Sequence, residues 1–157
     1  LNLKPNTGII FRNYEKKYFK NEILKLKQFC KSLKKKLYLA NDIKLAINLD
    51  LDGAYIPAFN KSLNISKKMS KKKFILLGSA HNYMEMKFKE KQGIKIIFIS
   101  PLFKTKEYKN GLGIIKFNIL SKFTKMKIIA LGGINNKNIK KLKMTKAHGF
   151  SGISYFK

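Results

Sequence analysis

Polar and small residues follow a series of apolar, strand-like runs in this chain, and their side chains carry groups that bind ions and transfer protons. These segments are residues 41–42 (Asn-Asp), 57–60 (Pro-Ala-Phe-Asn), 78–81 (Gly-Ser-Ala-His), 100–105 (Ser-Pro-Leu-Phe-Lys-Thr) and 132–134 (Gly-Gly-Ile). In a barrel of alternating strands and helices, the carboxyl ends of the strands meet at one mouth, where the chemistry takes place. The pattern therefore predicts an enzyme pocket built from segments that are distant in sequence.

Seven apolar runs, mostly separated by helical patterns, are the elements that would position these segments. We predict strands at residues 8–12, 36–40, 54–56, 74–77, 94–99, 128–131 and 152–156. A first amphipathic helix is indicated by the spacing of Phe19, Ile23, Leu26, Cys30 and Leu33. Nearly continuous apolar strands are typical of a parallel sheet that is covered on both faces.

Further helices are predicted after several of these strands. Asn82 followed by Glu85 is the pattern of a capping box that opens one helix, and Gly93 is placed to end it. Leu112, Ile115, Ile119 and Phe123 mark a later helix. Shorter or weaker helical patterns occur at residues 45–49, 61–72 and 139–142.

The predicted fold is an α/β TIM (β/α)8-type barrel that forms a single domain over residues 1–157. Eight strand–helix units close such a barrel, which usually exceeds about 200 residues. Since this chain has 157 residues, we expect it to lack the first strand and the last helix. A doubly wound open sheet is the alternative architecture.

The formal net charge of +27 would ordinarily indicate a nucleic-acid partner. Arg12 is the only arginine, however, and arginine is the preferred reader of guanine edges. The lysines are spread along most of the chain, which is also rich in Ile, Asn and Phe, all residues that A/T-rich codons can encode. We therefore expect no nucleic-acid partner, although the positive field would attract phosphorylated substrates.

Other features of the composition favour a cytoplasmic enzyme. No apolar run approaches the roughly 20 residues that cross a bilayer, so we expect no membrane partner. Cys30 is the single cysteine, which excludes an internal disulfide and fits a reducing compartment. Its spacing from apolar neighbours predicts a core cysteine and not a nucleophile. The oligomeric state cannot be predicted from these features.

The order of the motifs resembles the thiamine-phosphate synthase family and its relatives, the thiazole tautomerases, especially their short, divergent members. The similarity covers essentially the whole chain and is carried by residues 7–12 (Thr-Gly-Ile-Ile-Phe-Arg), 79–82 (Ser-Ala-His-Asn) and 100–105. The resemblance implies an eight-stranded barrel that joins a pyrimidine diphosphate to a thiazole phosphate in thiamine biosynthesis. It also implies release of diphosphate with the help of Mg²⁺, which requires stabilisation of the developing negative charge.

The resemblance assigns the diphosphate end of the site to residues in the first half of the chain. Arg12 matches an arginine that grips the diphosphate, with a surface salt bridge as the alternative. Asn41 and Asp42 match a pair that faces diphosphate and metal, with Asp42 as the metal ligand, although both residue types also favour helix caps. Ser79 matches a serine that meets the diphosphate and takes part in catalysis, and it also suits a turn.

His81 matches a histidine that is implicated in proton transfer in the tautomerases, and its alternative is a structural histidine. The thiazole phosphate would be bound by residues of three later segments, namely Thr105, Gly132, Gly133 and Ser154. A solvated loop would equally explain Thr105, and a plain strand-to-helix turn would explain the glycine pair. His148 matches no motif and is predicted to be structural.

Several residues depart from the family pattern. Tyr14 stands where the family has a lysine, and Asn60 is the nearest match to an expected acidic residue. A second lysine is not aligned, although Lys106 or Lys109 could reach the site. These departures leave two further interpretations open, namely a tautomerase that uses His81 and a noncatalytic phosphate-binding relative.

Overall fold

The computed structural model describes residues 6–13, 20–65, 73–153 and 155. Its strands are β1 (Gly8–Phe11), β2 (Lys36–Ala40), β3 (Gly53–Ile56), β4 (Ile75–Ala80), β5 (Ile96–Ile99), β6 (Lys127–Leu131) and β7 (Gly149–Ser151). Its helices are α1 (Lys20–Ser32), α2 (Ile43–Asn48), α3 (Tyr83–Lys91), α4 (Gly113–Ser121) and a 3-10 helix at Ile139–Met144.

The strands form one parallel sheet in which each strand pairs with the strand before it, so the order runs from β1 to β7 without a reversal. A doubly wound sheet would reverse its strand order at a switch point. That alternative is therefore excluded, and the architecture is the parallel α/β type of a TIM-like fold. Strands β1 and β7 lie at the two edges of the described sheet.

Side chains of each strand alternate between two apolar layers. The larger layer packs between the sheet and the helices and includes Leu39 and Ile56. The smaller layer consists of Tyr38, Ala40, Tyr55, Leu77 and Phe98, with further apolar residues packed against it. Since the adjacent residues Leu39 and Ala40 fall in different layers, the smaller layer lies on the sheet face turned away from the helices.

Helix α1 follows the predicted apolar spacing, with Ile23 and Cys30 almost completely buried. Burial raises the pKa of the Cys30 thiol, and the carboxylate of Asp52 raises that pKa further. Both effects disfavour the reactive thiolate. The prediction of a core cysteine is confirmed. Phe19, the first residue of the predicted stripe, lies outside the described residues, and Leu33 follows the end of the helix.

The helix predicted after β5 is present as α4, and the side chain that it buries completely is not one of those that marked the helix. Ile115 is 77% exposed and Phe123 is 50% exposed, whereas Phe117 is completely buried. This helix has apolar residues on several faces, and its packing against the sheet buries the face that carries Phe117. The predicted helix is therefore confirmed, and its packing against the sheet decides which face is buried.

Other boundaries also differ from the prediction. The last strand is Gly149–Ser151 and precedes the predicted segment at residues 152–156, because its pairing with β6 matches Leu131 with Ser151. Residues 61–65 form no helix, and residues 66–72 lie outside the described part of the chain. Strand β4 extends beyond the predicted run to Ala80, which places Ser79 within the sheet.

A buried cationic side chain joins helix α3 to the loop that follows β3. Lys89 is completely buried, and its Nζ donates to the carbonyl oxygens of Pro57 and Asn60 at 2.7 and 2.9 Å. It also donates to Gln92 Oε1 at 2.8 Å. Burial lowers the pKa of Lys89 to about 8, with a further lowering by Lys61 and an opposing effect of Glu85.

No helix among the described residues combines the length and the apolar character needed to cross a membrane.

The two sides of α4 offer a matched pair of substitutions. Phe117→Ala should lower the free energy of unfolding by about 3–5 kcal/mol, because it leaves a cavity in the core. Ile115→Ala, on the exposed side, should change it by less than about 0.5 kcal/mol. Urea unfolding measures both values, and a larger loss for Ile115→Ala would contradict the observed helix orientation.

The buried Lys89 should make the free energy of unfolding depend on pH in the alkaline range. The pKa of Lys89 is lowered to about 8 from its ordinary 10.5, so between these values the unfolded chain binds more protons at this residue. Raising the pH through this window should therefore stabilise the native wild type relative to Lys89→Met. Urea unfolding at a series of pH values tests this. Lys87 serves as the control, because its hydrogen bond to Glu90 raises its pKa. The difference in the free energy of unfolding between the wild type and Lys87→Met should therefore not change with pH in this window.

Candidate active site

All the described strands are parallel, so their carboxyl ends lie on the same side of the sheet and form its carboxyl edge. Register pairs Phe11 with Leu39, Ala40 with Tyr55, and Ile56 with Gly78. The residues that follow these strands therefore emerge from the same edge, and the alternation of side chains places inward-facing polar groups close together. This edge is the candidate active site.

Arg12, Tyr55 and Ser79 meet at this edge. Tyr55 is buried on the inner face of β3, and burial raises the pKa of its phenol. A hydrogen bond with Ser79 and the positive charge of Arg12 both act in the opposite direction on that pKa. Ser79 is itself 5% exposed, and Arg12 is exposed at the end of β1. The arrangement pairs two hydroxyl groups within range of the positive charge of a guanidinium.

Tyr55 was missed by the sequence analysis, because it was counted as an apolar strand residue. Its ring packs edge-on against Phe98, with the ring centroids 5.6 Å apart. A tyrosine on the inner face of a strand, two residues before the segment at 57–60, is the signal that could have identified it, since a buried phenol needs a polar partner.

Asn41 and Asn60 come together although they lie at the ends of different strands. Asn60 Nδ2 donates to Asn41 Oδ1 at 2.6 Å. Asn41 has a φ of 62°, in the left-handed region that asparagine tolerates better than most residues. Its backbone N–H donates to Tyr55 O at 2.8 Å, which ties the residue to β3. The two carboxamides therefore form one exposed pair beside Asp42.

Asp42 has the capping role that its residue type suggested. Its Oδ1 accepts from the backbone N–H of Leu45 at 2.9 Å at the start of α2. Among the described residues, Oδ2 accepts no hydrogen bond. The described residues contain no cluster of three or more His, Cys, Asp or Glu that could hold a metal ion. A single carboxylate still suits Mg²⁺, which usually keeps several waters and binds substrate phosphates.

His81 follows β4 and is held in a defined orientation. Its ring Nδ1 lies 2.9 Å from Ser100 O, and a carbonyl can only accept, so Nδ1 carries the hydrogen. The backbone N–H of His81 donates to Glu85 Oε2 at 2.8 Å. Among the described residues Nε2 has no hydrogen-bond partner, so it can accept a proton. This is the tautomer that a general base requires.

The predicted helix start at Asn82 is confirmed, but only the Asn82 half of the predicted capping box forms, because the Glu85 carboxylate binds the backbone of His81 and not that of Asn82. The backbone N–H of Glu85 donates to Asn82 Oδ1 at 2.9 Å, and α3 begins at the following residue, Tyr83. The Glu85 carboxylate extends this cap to the backbone of His81. Gly93, with a φ of 78°, follows the end of this helix as predicted.

Thr105 shapes the loop after β5. Its Oγ1 accepts from the backbone N–H of Tyr108, and its own N–H donates to Tyr108 O, both at 3.0 Å. The ring of Tyr108 stacks on His81 with centroids 5.9 Å apart. Thr105 thus closes a turn that brings Tyr108, a residue the sequence analysis missed, against His81.

The glycine pair is required by the close approach of two loops. Gly132 and Gly133 have φ values of 95° and 69°. A Cβ on Gly132 would come within 2.8 Å of Pro101 Cα. The backbone N–H groups of Leu102 and Phe103 donate to Leu131 O and Gly132 O, which joins the two loops. Among the described residues, the N–H groups of Gly133 and Ile134 donate no hydrogen bond. They are therefore available to bind an anion.

His148 lies away from the candidate active site. His148 N donates to Ile128 O at 2.8 Å, and its Nδ1 accepts from Ile128 N at 3.2 Å, at the opposite end of β6. Its predicted structural role agrees with these contacts. Ser154 and Tyr14 lie outside the described residues, so the predictions on them are not addressed by the structure.

Gly133→Ala should destabilise the protein more than Gly113→Ala. Both glycines have a φ of 69°, so each variant carries a left-handed backbone cost of about 1–2 kcal/mol. At position 133 the new Cβ would also overlap Lys104 O and Phe103 C, whereas at position 113 no atom lies within 4 Å. Urea unfolding measures the free energy of unfolding of both variants. An equal decrease in the two variants would contradict the tight packing of the two loops.

Comparison with known proteins identifies the family of this chain. The sequence profile of the family TMP-TENI, described as thiamine monophosphate synthase, matches residues 5–156. A protein of Aquifex aeolicus that is named as a candidate thiamine-phosphate synthase is 31% identical over 148 residues, covering 90% of this chain and 79% of that protein. Thiamine-phosphate synthase of Prochlorococcus marinus is 34% identical over 125 residues, covering 78% of this chain and 36% of that protein.

A solved structure has the same fold. Thiamine phosphate pyrophosphorylase from Pyrococcus furiosus superposes with a TM-score of 0.71 at 18% identity, over 88% of this chain and 68% of that chain. The chain is shorter than these relatives and spans 36% of the Prochlorococcus protein. Because the family profile covers nearly the whole sequence, the chain belongs to the thiamine monophosphate synthase family.

Proposed function

We propose that this protein is a thiamine-phosphate synthase-like transferase that joins hydroxymethylpyrimidine diphosphate to thiazole phosphate and releases diphosphate. The observation that carries the proposal is the convergence of Arg12, Asn41, Asp42 and Ser79 on one edge of the sheet in a member of this family. These groups provide cationic and neutral donors for an anionic leaving group, beside one carboxylate for its metal ion.

The leaving diphosphate would be bound by donors from different strands. The Arg12 guanidinium can bind two phosphate oxygens at once. Asn41, which follows the neighbouring strand β2, and Ser79, which lies in β4, supply neutral donors in addition. Preorganised donors of this kind stabilise negative charge as it develops on the leaving group. Asp42 would hold Mg²⁺, which when bound would act as a Lewis acid and neutralise charge on the diphosphate.

The thiazole phosphate would be bound at the neighbouring strand ends. The N–H groups of Gly133 and Ile134 are two donors, and Thr105 sets the shape of the adjoining loop. Ser154, from the segment after β7, would be a further donor. Positively charged surroundings favour both phosphorylated substrates, since the chain has a formal net charge of +27. We expect no nucleic-acid partner.

The sheet would be completed as a TIM barrel. Each edge strand, β1 and β7, has one partner among the described strands, and an eighth strand between them would close the barrel. We infer that the chain corresponds to such a barrel without its first strand and last helix. A buried free thiol and a small-molecule biosynthetic role fit the cytoplasm.

The second candidate is a thiazole tautomerase, and the orientation of His81 favours it. The Nδ1–H group of His81 donates to Ser100 O, which leaves Nε2 to act as the base. This hydrogen bond and the stacked Tyr108 ring hold the imidazole in its orientation. Proton transfer within the thiazole needs no diphosphate site. A noncatalytic phosphate-binding relative is the remaining alternative.

Asp42→Asn tests the metal role without removing the helix cap. Asparagine caps a helix about as well as aspartate, so the free energy of unfolding should change by less than about 0.5 kcal/mol. The Mg²⁺ concentration for half-maximal diphosphate release should rise about tenfold or more, because a charged ligand becomes neutral. An unchanged Mg²⁺ dependence would contradict the assignment.

The same assay separates the candidate functions. Arg12→Ala should lower diphosphate release by about 10²–10³-fold, whereas Lys122→Ala, distant from the mouth, should leave it unchanged. If both variants match the wild type, the synthase proposal fails. Loss of thiazole tautomerisation in His81→Ala, with no diphosphate release by the wild type, would support the tautomerase. Phosphate binding without either activity would indicate the noncatalytic relative.

A further inference from the structure

The Lys89–Gln92 pair forms a buried polar clamp on the loop after β3. Both side chains are completely buried. Lys89 Nζ uses its donors on Pro57 O, Asn60 O and Gln92 Oε1, and Gln92 Nε2 donates to Asn60 O and Ser62 O at 3.0 and 2.8 Å. Burying a charge is costly even when it is paired, so apolar residues would often serve stability as well. The clamp therefore requires a reason beyond core packing.

The clamp holds the backbone that carries Asn60. Residues 57–62 contain no strand or α-helix, and three of their carbonyl oxygens accept from the clamp. Asn60 Oδ1 accepts from the backbone N–H of Ser62 at 2.9 Å, which fixes which end of the carboxamide is oxygen. The Nδ2 group of Asn60 must then face Asn41.

This orientation also fixes Asn41. Its Oδ1 is occupied by the hydrogen bond from Asn60 Nδ2 at 2.6 Å. Its own Nδ2 donates no hydrogen bond among the described residues, so its two N–H groups are available at the strand edge. A diphosphate accepts hydrogen bonds, and a carboxamide in the opposite orientation would present oxygen to it instead.

We propose that Lys89 and Gln92 are positioning residues, which act through the 57–62 loop and Asn60 to direct the N–H groups of Asn41 toward the diphosphate. The inference rests on the proposed function, because it names diphosphate as the ligand of Asn41. It also gives a role to Asn60, the nearest match to the acidic residue that the resemblance implies. As an acceptor only, a carboxylate would draw the N–H groups of Asn41 toward itself.

A double-mutant cycle in the full chain tests this connection, with inorganic diphosphate and Mg²⁺ as the titrated ligand. Lys89→Met keeps the length of the side chain but removes its donors, and Asn41→Gly keeps the left-handed backbone while removing the carboxamide. Lys89→Met should weaken diphosphate binding about tenfold in the wild-type background, as expected for a lost hydrogen bond to an anion. In the Asn41→Gly background it should weaken binding less than about twofold.

The controls separate positioning from general structure or charge. Lys87→Met, on the same helix with a partly exposed side chain, should bind diphosphate like the wild type. Equal fold-changes for Lys89→Met in both backgrounds would overturn the inference, because loss of charge or of folding acts without Asn41. If Lys89→Met does not fold, Gln92→Leu enters the same cycle with the same expectation.

A ligand-free measurement tests the geometry directly. The side-chain amide resonances of Asn41 and Asn60 should shift in Lys89→Met and stay in place in Lys87→Met, and unchanged resonances in both would overturn the inference. Failure of the wild type to bind diphosphate would overturn the proposed function and its ligand. Wild-type binding with an additive cycle would overturn the positioning inference alone.

Discussion

Parallel pairing in unbroken chain order is the constraint on which the rest of the structure depends. Since every strand runs in the same direction as its predecessor, every carboxyl end reaches the same edge of the sheet. Each return of the chain then needs a crossover, and helices supply most of them. The polar segments that follow the strands are neighbours for this reason alone. The candidate active site is therefore a consequence of topology before it is a consequence of any single side chain.

Polar contacts between loops convert this proximity into defined geometry. Asn60 reaches Asn41 across two strand ends, Ser100 O orients His81, and the backbone of Phe103 binds Gly132. Each contact joins segments that the sequence separates by 19 or more residues. The Lys89–Gln92 clamp adds support from behind the mouth. Together these contacts hold side chains in orientations that a loop on its own would not maintain.

Local patterns allowed much of the fold to be predicted. The apolar runs indicated the strands, and Asn82 with Glu85 indicated the start of α3, because both signals depend on residues close together in the chain. The buried face of α4 could not be predicted in this way. That helix has apolar residues on several sides, and its packing against the sheet, through Phe117, decides which side is buried.

The candidate site was predictable in part for the same reason. The strand-end position of Arg12, Asn41, Asp42 and Ser79 follows from the order of motifs, and the structure places them at one edge. Tyr55, Tyr108 and Lys89 were missed, because their roles depend on partners that lie far away in sequence. A lysine within a helix ordinarily faces solvent, and only the packed loop reveals that Lys89 does not.

The central claim is that the strand-end residues form one diphosphate site, and a crystal structure with diphosphate and Mg²⁺ tests it most directly. We predict diphosphate at the mouth, with its oxygens within hydrogen-bond distance of Arg12, Asn41 and Ser79, and the metal ion beside Asp42. Diphosphate bound only among surface lysines, with the mouth empty at saturating concentration, would contradict the account.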